Sequence, residues 1–117
     1  MPDKMEDLKG KLLVIIPAFN EEASIGSVIS SIKKELPQAH ILVVNDGSRD
    51  KTAEIAENNG VIVLNHLYNM GIGATMQTGF KYASLMDYEV AVQVDGDGQH
   101  PADQIKYLIE PVLNKKA

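Results

Sequence analysis

The sequence predicts an α/β domain built on a mainly parallel sheet. Short runs of apolar, β-branched residues alternate four times with segments whose apolar residues recur every three or four positions. The strand-like runs show no apolar–polar alternation, as expected for parallel strands covered by helices on both faces. A chain of 117 residues is long enough for one such domain and too short for two.

The first elements follow a polar start. Residues 1–10 are predicted to be a flexible leader, and residues 11–117 a single domain. The run KLLVIIP, from Lys11 to Pro17, is predicted to be the first strand. The segment Glu21 to Leu36 carries its apolar residues on one helical face and is predicted to be a helix that Pro37 ends.

The remaining elements repeat these two patterns. Ser48 or Asp50 is expected to cap the second helix, and Pro101 fits the first turn of the last one. Right-handed crossovers between parallel strands lead us to expect the strand order three, two, one, four. In sequence order, the predicted elements are strand Ile41–Asn45, helix Lys51–Asn59, strand Val61–Asn65, helix Gly73–Leu85, strand Val90–Val94 and helix Pro101 to about Leu113.

Composition excludes several classes of protein. The net charge of −5 argues against nucleic acid as a partner, because phosphate backbones attract clustered Lys and Arg. The absence of cysteine excludes disulfides and thiolate metal sites and suits the cytoplasm. The polar N-terminus is not a secretory signal, and no apolar run approaches the roughly 18 residues of a membrane span.

Polar residues gather where three of the predicted strands end. PAFNE follows the first strand, NDGS the second and DGDGQ the fourth. Ligands of open parallel sheets bind beyond the carboxyl ends of the strands, so we expect these clusters to converge. Each cluster also has a structural interpretation, since Asp46-Gly47 is a common turn pair and Glu21 lies in a helical first turn. His40, His66 and His100 show no metal-site spacing.

The loop after the fourth strand is the strongest candidate for a metal site. Asp95 and Asp97 are two residues apart, and Gln99 offers a third oxygen. Oxygen ligands of this kind suit Mg²⁺ or Mn²⁺, and Mg²⁺ typically takes one or two carboxylates while phosphates and water complete its coordination.

Four segments together resemble a known family. VIIPAFNEEASIGSVI, VVNDGSRDKT, NMGIGATMQTGFKYA and VDGDGQHP occur in the family's order and lie between Val14 and Pro101. They are similar to the nucleotide-binding half of family-two inverting glycosyltransferases, especially polyprenyl-phosphate sugar transferases similar to dolichol-phosphate mannose synthase. The resemblance implies a Rossmann-like GT-A fold, a nucleotide-diphosphate sugar donor and metal-assisted inverting transfer to a polyprenyl-phosphate or saccharide acceptor.

The resemblance also implies residue roles. Asp46 would read the base, and Gln99 would be the third metal ligand beside Asp95 and Asp97. The implied nucleotide-binding residues are Pro17, Phe19, Glu21, Val44, Asp46, Asp95 and Gly96. The sequence departs from the family at Phe19, where many members have Tyr, and at Asn45, which replaces the first acid of an Asp-Asp pair. A basic residue often found before Asn69 is also missing.

The family's catalytic base and acceptor surface belong to a second half, expected beyond Ala117. After Gln99 only Asp103 and Glu110 are acidic, and both fall in the predicted last helix. We therefore expect this chain to bind nucleotide weakly, to transfer no sugar alone and to associate with itself. The full-length protein is expected in the cytoplasm or at the cytoplasmic face of the membrane.

Two other functions fit parts of the sequence. A nucleotide-sugar-binding module without catalysis agrees with the short length. A signalling receiver domain has this alternation, but it requires an acid pair after the first strand and a lysine after a fifth strand. Phe19-Asn20-Glu21 stands at the first position, and the sequence shows no fifth strand.

Overall fold

The computed structural model describes residues 11–97 and the backbone at residues 110–111. Four strands and three helices alternate, and a short fifth strand follows. They are β1 (Leu12–Ala18), α1 (Ile25–Glu35), β2 (His40–Asn45), α2 (Thr52–Asn58), β3 (Ile62–Asn65), α3 (Ile72–Leu85), β4 (Val90–Gln93) and β5 (Glu110–Pro111).

The sheet has the strand order β3-β2-β1-β4-β5. β1 pairs in parallel with β2 and β4, and β2 pairs in parallel with β3. The predicted α/β class and the order three, two, one, four are therefore confirmed. Because β1 is central, the loops that follow β2 and β4 lie on either side of its carboxyl end.

The prediction of a helix reaching about Leu113 is wrong at residues 110–111. Glu110–Pro111 forms β5, which pairs antiparallel with β4 through Ala91 and Val90. Pro111 explains the difference, because proline inside a helix loses a hydrogen bond and clashes with the carbonyl four residues earlier. The residue before a proline is also biased toward extended backbone. The predicted leader and the predicted start of that helix at Pro101 lie outside the described residues.

Helices cover both faces of the sheet, which explains why the strands read as unbroken apolar runs. Every residue of β1 is buried. Leu12, Val14 and Ile16 pack in a cluster with α1 and with Ala56 of α2. Leu13 and Ile15 pack in a second cluster that includes residues of α3.

A glycine allows α3 to pack directly on β1. A Cβ atom at Gly79 would lie 2.5 Å from Ile15 Cγ2, a separation that real side chains do not tolerate. This close contact fixes α3 against the centre of the sheet, with the β3–α3 loop beside the end of β2. Of the helices in the described part of the chain, none has the length and apolar content to cross a membrane.

Candidate functional site

A cavity of about 250 Å³ opens beyond the carboxyl ends of β1, β2 and β4. The polar clusters that follow these three strands in the sequence meet here, together with part of the β3–α3 loop and the start of α3. The cavity is lined by Pro17, Ala18, Phe19, Glu21, Asp46, Asn69, Gly71, Ile72, Thr75, Asp95, Gly96 and Asp97.

Two residues assigned to the site by resemblance are not among the cavity-lining residues. Val44 is fully buried in the core cluster on the α3 side of the sheet, where it supports the end of β2. Gln99 lies outside the described residues. The other implied nucleotide and metal residues all line the cavity: Pro17, Phe19, Glu21, Asp46, Asp95, Gly96 and Asp97.

Hydrogen bonds fasten the loop after β1 to the loop after β2. The Asn20 N–H donates to Ser48 Oγ at 2.8 Å, and Asn20 Oδ1 accepts the Arg49 N–H at 2.9 Å. Asn20 has a φ of 55°, a left-handed conformation that asparagine adopts more readily than most residues. The Glu21 N–H donates to Thr52 Oγ1 at 2.8 Å, which ties the start of this loop to α2.

Glu22 and Asp50 extend the same network. Asp50 Oδ2 accepts the Glu22 N–H at 3.2 Å, and Glu22 Oε1 accepts the Lys51 N–H at 3.1 Å. Asp50 Oδ1 accepts the N–H of Thr52, the first residue of α2, at 3.0 Å. Burial raises the pKa of Asp50, but hydrogen bonds from Thr52 and Glu22 outweigh it and lower that pKa below its ordinary value. These polar residues hold the loops together.

Asp46 organises the β3–α3 loop from the end of β2. Only 4% of the residue is exposed. Its Oδ1 accepts His66 Nδ1–H at 2.8 Å and the Met70 N–H at 2.9 Å. Its Oδ2 accepts the Gly71 N–H at 2.8 Å and Asn69 Nδ2–H at 3.1 Å. The Asp46 carboxylate thus accepts hydrogen bonds from four donors of the β3–α3 loop.

The environment of Asp46 favours its charged form. Burial acts to raise the pKa of Asp46, but the hydrogen bonds from His66, Met70 and Gly71 outweigh it, so the pKa lies below its ordinary value. The ionised carboxylate is an acceptor, so His66 Nδ1 carries the hydrogen. His66 Nε2 lies 2.8 Å from Thr78 Oγ1, which connects Asp46 to α3 through the imidazole ring.

Gly47 allows the β3–α3 loop to lie directly against the end of β2. Its φ is 77°, and a Cβ atom there would lie 2.5 Å from the Tyr68 carbonyl carbon and 2.6 Å from the Asn69 nitrogen. A side chain at this position would push the loop away from Asp46. Asp46 and Gly47 therefore both position the loop. The Asp46 carboxylate accepts its hydrogen bonds, and the absence of a side chain at Gly47 lets its backbone pack closely.

On the other side of β1, the loop after β4 lies against the end of the central strand. Ser24 Oγ donates to the Gly96 carbonyl oxygen at 2.6 Å, and a Cβ atom on Gly96 would lie 3.3 Å from the Pro17 carbonyl oxygen. Gln93 Nε2 donates to Asp95 Oδ1 at 3.1 Å. This packing places Asp95 and Asp97 in the cavity wall.

Carboxylates accumulate at this end of the cavity. Partial burial raises the pKa of Glu21 above its ordinary value, and the negative charges of Asp97, Asp50 and Asp95 raise it further. Within residues 11–97, no three His, Cys, Asp or Glu side chains are grouped closely enough to hold a metal by themselves. Asp95 and Asp97 instead fit a hard cation that takes two protein carboxylates and completes its coordination with ligand oxygens.

Two residues that the motifs do not single out, His66 and Asn69, follow β3. His66 directly follows β3 and contacts Asp46, and Asn69 lines the cavity three residues later. The signal was present, because the rule that ligands bind beyond strand ends applies to β3 as well. The spacing of the histidines bears on metal binding and gives no signal for the contact of His66 with the Asp46 carboxylate.

Comparison with known proteins agrees with this fold. Residues 13–117 match the family described as glycosyl transferase family 2. An uncharacterized protein of Methanocaldococcus jannaschii is 44% identical over 105 residues, which are 90% of this chain and 43% of that protein. Polyprenol monophosphomannose synthase of Mycolicibacterium smegmatis is 33% identical over 108 residues, covering 87% of this chain and 41% of the enzyme.

A solved structure shares the same architecture. Glucosyl-3-phosphoglycerate synthase from Mycobacterium tuberculosis, in complex with Mn²⁺, UDP-glucose and phosphoglyceric acid, superposes with a TM-score of 0.66 at 26% identity. The match covers 82% of this chain and 37% of that one. The chain belongs to glycosyl transferase family 2, and the predicted GT-A fold is confirmed. It spans less than half the length of these three proteins.

Proposed function

We propose that this chain is the donor-binding part of a glycosyltransferase that transfers a sugar from a nucleotide-diphosphate sugar to a polyprenyl phosphate. The observation that carries the proposal is the convergence of three strand ends on one cavity, with Asp95 and Asp97 beside Glu21. Family membership and the similarity to polyprenol monophosphomannose synthase support the reaction class and the acceptor. A lipid acceptor would bring the full-length protein to the cytoplasmic face of the membrane.

The charges lining the cavity explain why a cation is part of the proposal. No Lys or Arg is among the described residues that line it, although a diphosphate carries negative charge. Asp95 and Asp97, with Gln99 as a third ligand, would hold Mg²⁺ or Mn²⁺. A divalent cation held there would supply charge neutralisation for the diphosphate leaving group. The Mn²⁺ in the solved structure of glucosyl-3-phosphoglycerate synthase supports this assignment.

The other lining residues suit the nucleoside. Phe19 is 43% exposed at the cavity and offers an aromatic face for stacking a base. Pro17 and Glu21 complete the wall on the β1 side, and Val44 supports the cavity from the core. The inverting displacement further requires a base that deprotonates the acceptor as it attacks the anomeric carbon.

Calorimetric titration of the chain with UDP-, GDP- and dTDP-glucose, in Mn²⁺ and in EDTA, tests this proposal. One of the three sugar nucleotides is expected to bind in Mn²⁺ and to lose most of its affinity in EDTA. Equal affinity in both conditions would contradict the metal assignment, and no binding in either would contradict the donor site. Because the chain alone is expected to transfer no sugar, turnover of the donor with a polyprenyl phosphate by the full-length protein would separate an enzyme from a binding module.

A further inference from the structure

We propose that Ser24 is the positioning residue that fixes the Asp95–Asp97 loop in a metal-binding conformation before the cation arrives. This inference rests on the metal site of the proposed function and adds a residue from α1 to its supporting structure. The loop would hold a divalent cation that carries a nucleoside diphosphate. Ser24 does not line the cavity, so its hydroxyl would act through the loop backbone and not by touching a ligand.

The backbone of this loop has little rigidity of its own. Its sequence is DGDG, residues 95–98, and glycine adopts many backbone conformations at similar cost. The parallel pairing of β4 with β1 reaches Gln93, and the Val94 N–H donates to the Ile15 carbonyl oxygen at 3.0 Å. Gly96 lies two residues beyond that bond. Contacts outside the sheet must therefore fix the backbone between the two carboxylates.

Two contacts hold parts of the loop but leave one direction open. A Cβ atom on Gly96 would lie 3.3 Å from the Pro17 carbonyl oxygen and 3.4 Å from Ala18 Cβ, so the Gly96 Cα is packed against the end of β1. The Gln93 amide donates to Asp95 Oδ1 at 3.1 Å and orients that side chain. Neither contact sets the rotation of the peptide group that follows Gly96.

The Ser24 hydroxyl sets this rotation. Its Oγ donates to the Gly96 carbonyl oxygen at 2.6 Å, across 72 residues of sequence. Glu21 Oε1 lies 3.4 Å from the same Oγ, but a hydroxyl has one hydrogen, and the shorter contact takes it. Because the peptide group is planar and trans, fixing the Gly96 carbonyl also fixes the Asp97 N–H. The Asp97 side chain therefore starts from a backbone that Ser24 orients.

The helix that carries Ser24 does not use this hydroxyl. Ser24 is the N-cap residue of α1, where a serine side chain usually accepts an N–H of the first turn. Within the described residues, its side chain makes no such bond. The Glu21 carbonyl oxygen instead accepts the N–H groups of Ser24 at 3.0 Å and Ile25 at 2.8 Å. Removing the hydroxyl should therefore break the link to Gly96 without removing a helix cap.

Metal affinity depends on how well the two carboxylates are held in advance. Mg²⁺ demands a nearly ideal octahedral arrangement of its oxygen ligands. A loop that already has a suitable conformation loses little conformational freedom when the cation binds. Without the Ser24 hydroxyl, the buried Gly96 would lose this donor, and the cation would have to order the loop itself. We therefore expect weaker metal binding.

The test titrates Mn²⁺ into the 117-residue chain at a fixed concentration of UDP and, separately, of GDP. The relaxation enhancement of water protons measures the Mn²⁺ that is bound to the protein. Ser24→Ala is expected to raise the Mn²⁺ concentration at half-saturation by about threefold to tenfold, the effect of one hydrogen bond. Ser24→Thr keeps a hydroxyl at this position and is expected to retain the wild-type value.

Ser27→Ala is the matched control. Ser27 lies in the same helix, is exposed, donates its hydroxyl to the Ser24 carbonyl oxygen at 3.0 Å and does not line the cavity. The same change there is expected to leave the half-saturating Mn²⁺ concentration unaltered. The maximal signal provides a second readout, because it measures the amount of folded protein. A purely structural role of Ser24 would lower this maximum without moving the half-saturation point.

The outcomes separate this inference from the metal site itself. An unchanged half-saturation point in Ser24→Ala, or a failure of this variant to fold, would overturn the inference and leave the metal site standing. A defect in Ser24→Thr as large as that in Ser24→Ala would also overturn it, because the hydroxyl would not be the cause. If neither nucleotide promotes Mn²⁺ binding to wild type, the proposed function fails, and the inference fails with it.

Discussion

Asp46 and Glu21 line the same cavity, but their carboxylates lie in opposite surroundings. Asp46 is buried and receives four hydrogen bonds from the β3–α3 loop, which hold its pKa below the ordinary value despite burial. Glu21 is partly buried near Asp97, Asp50 and Asp95, and burial and these charges hold its pKa above the ordinary value.

The difference indicates that the two sides of the cavity stabilise their carboxylates in different ways. On the β2 side the protein supplies the donors that stabilise its own carboxylate. Asp46 and the four loop residues that donate to it form a structural hydrogen-bond network, which we call the Asp46 corner. On the β4 side it concentrates negative charge, which a positive ligand would relieve. Substitutions on the two sides should therefore affect different properties, folding stability in the first case and metal-dependent binding in the second.

The largest expected effect is on the folding stability of Asp46→Ala. The change leaves the partly buried hydrogen-bond donors of His66, Met70 and Gly71 without their acceptor, which should cost about 3 kcal/mol of unfolding free energy. Urea denaturation followed by circular dichroism measures it. Glu57→Ala, at an exposed acid in α2, should change stability by less than about 0.5 kcal/mol. A loss below about 1 kcal/mol in Asp46→Ala would contradict the picture of a structural corner.

Asp97→Ala should change binding much more than folding. Removing one of two carboxylates that face the proposed cation should weaken Mn²⁺-dependent nucleotide binding by about tenfold or more. Calorimetry in Mn²⁺ and in EDTA measures the effect. Glu22→Ala is the control, because the Glu22 side chain accepts the Lys51 N–H and does not line the cavity. Unchanged metal dependence in Asp97→Ala would remove Asp97 from the metal site.

The pH dependence of stability should reveal the contribution of Asp46. Its pKa is lowered in the folded protein, so its stabilising effect is fully present above the unfolded pKa of about 3.9 and is lost as pH falls through the folded value. Wild type should therefore lose more stability than Asp46→Asn when the pH falls from about 5 to about 2. Urea midpoints measured across this range provide the test, and parallel curves for the two proteins would contradict it.

The smallest effect is expected for the exposed part of the loop network. Ser48→Ala removes the acceptor of the Asn20 N–H, which water can replace at this exposed position, so the cost should be about 0.5 kcal/mol. Thermal unfolding measures it against wild type. A loss as large as that of Asp46→Ala would show that the β1–α1 and β2–α2 loops, and not the Asp46 corner, control stability.

The sequence by itself determined the class of fold and indicated the edge of the sheet where the candidate site lies. Unalternated apolar runs separated by helical segments require a covered parallel sheet, and a parallel sheet brings its strand ends to one edge. These two rules alone assign Glu21, Asp46 and Asp95 to a common region of the protein. The error at Glu110–Pro111 was avoidable, because Pro111 already argues against a helix interior.

Only the tertiary structure decided what each residue does at that edge. The resemblance implies that Val44 binds the nucleotide, yet its side chain packs in the core under α3. The bonds of Asp46 to His66, Asn69, Met70 and Gly71 span 20 to 25 residues and depend on how the β3–α3 loop is placed. That placement follows from Gly47 against the loop backbone and Gly79 against Ile15. Contacts between distant segments depend on packing in three dimensions, which no local sequence pattern encodes.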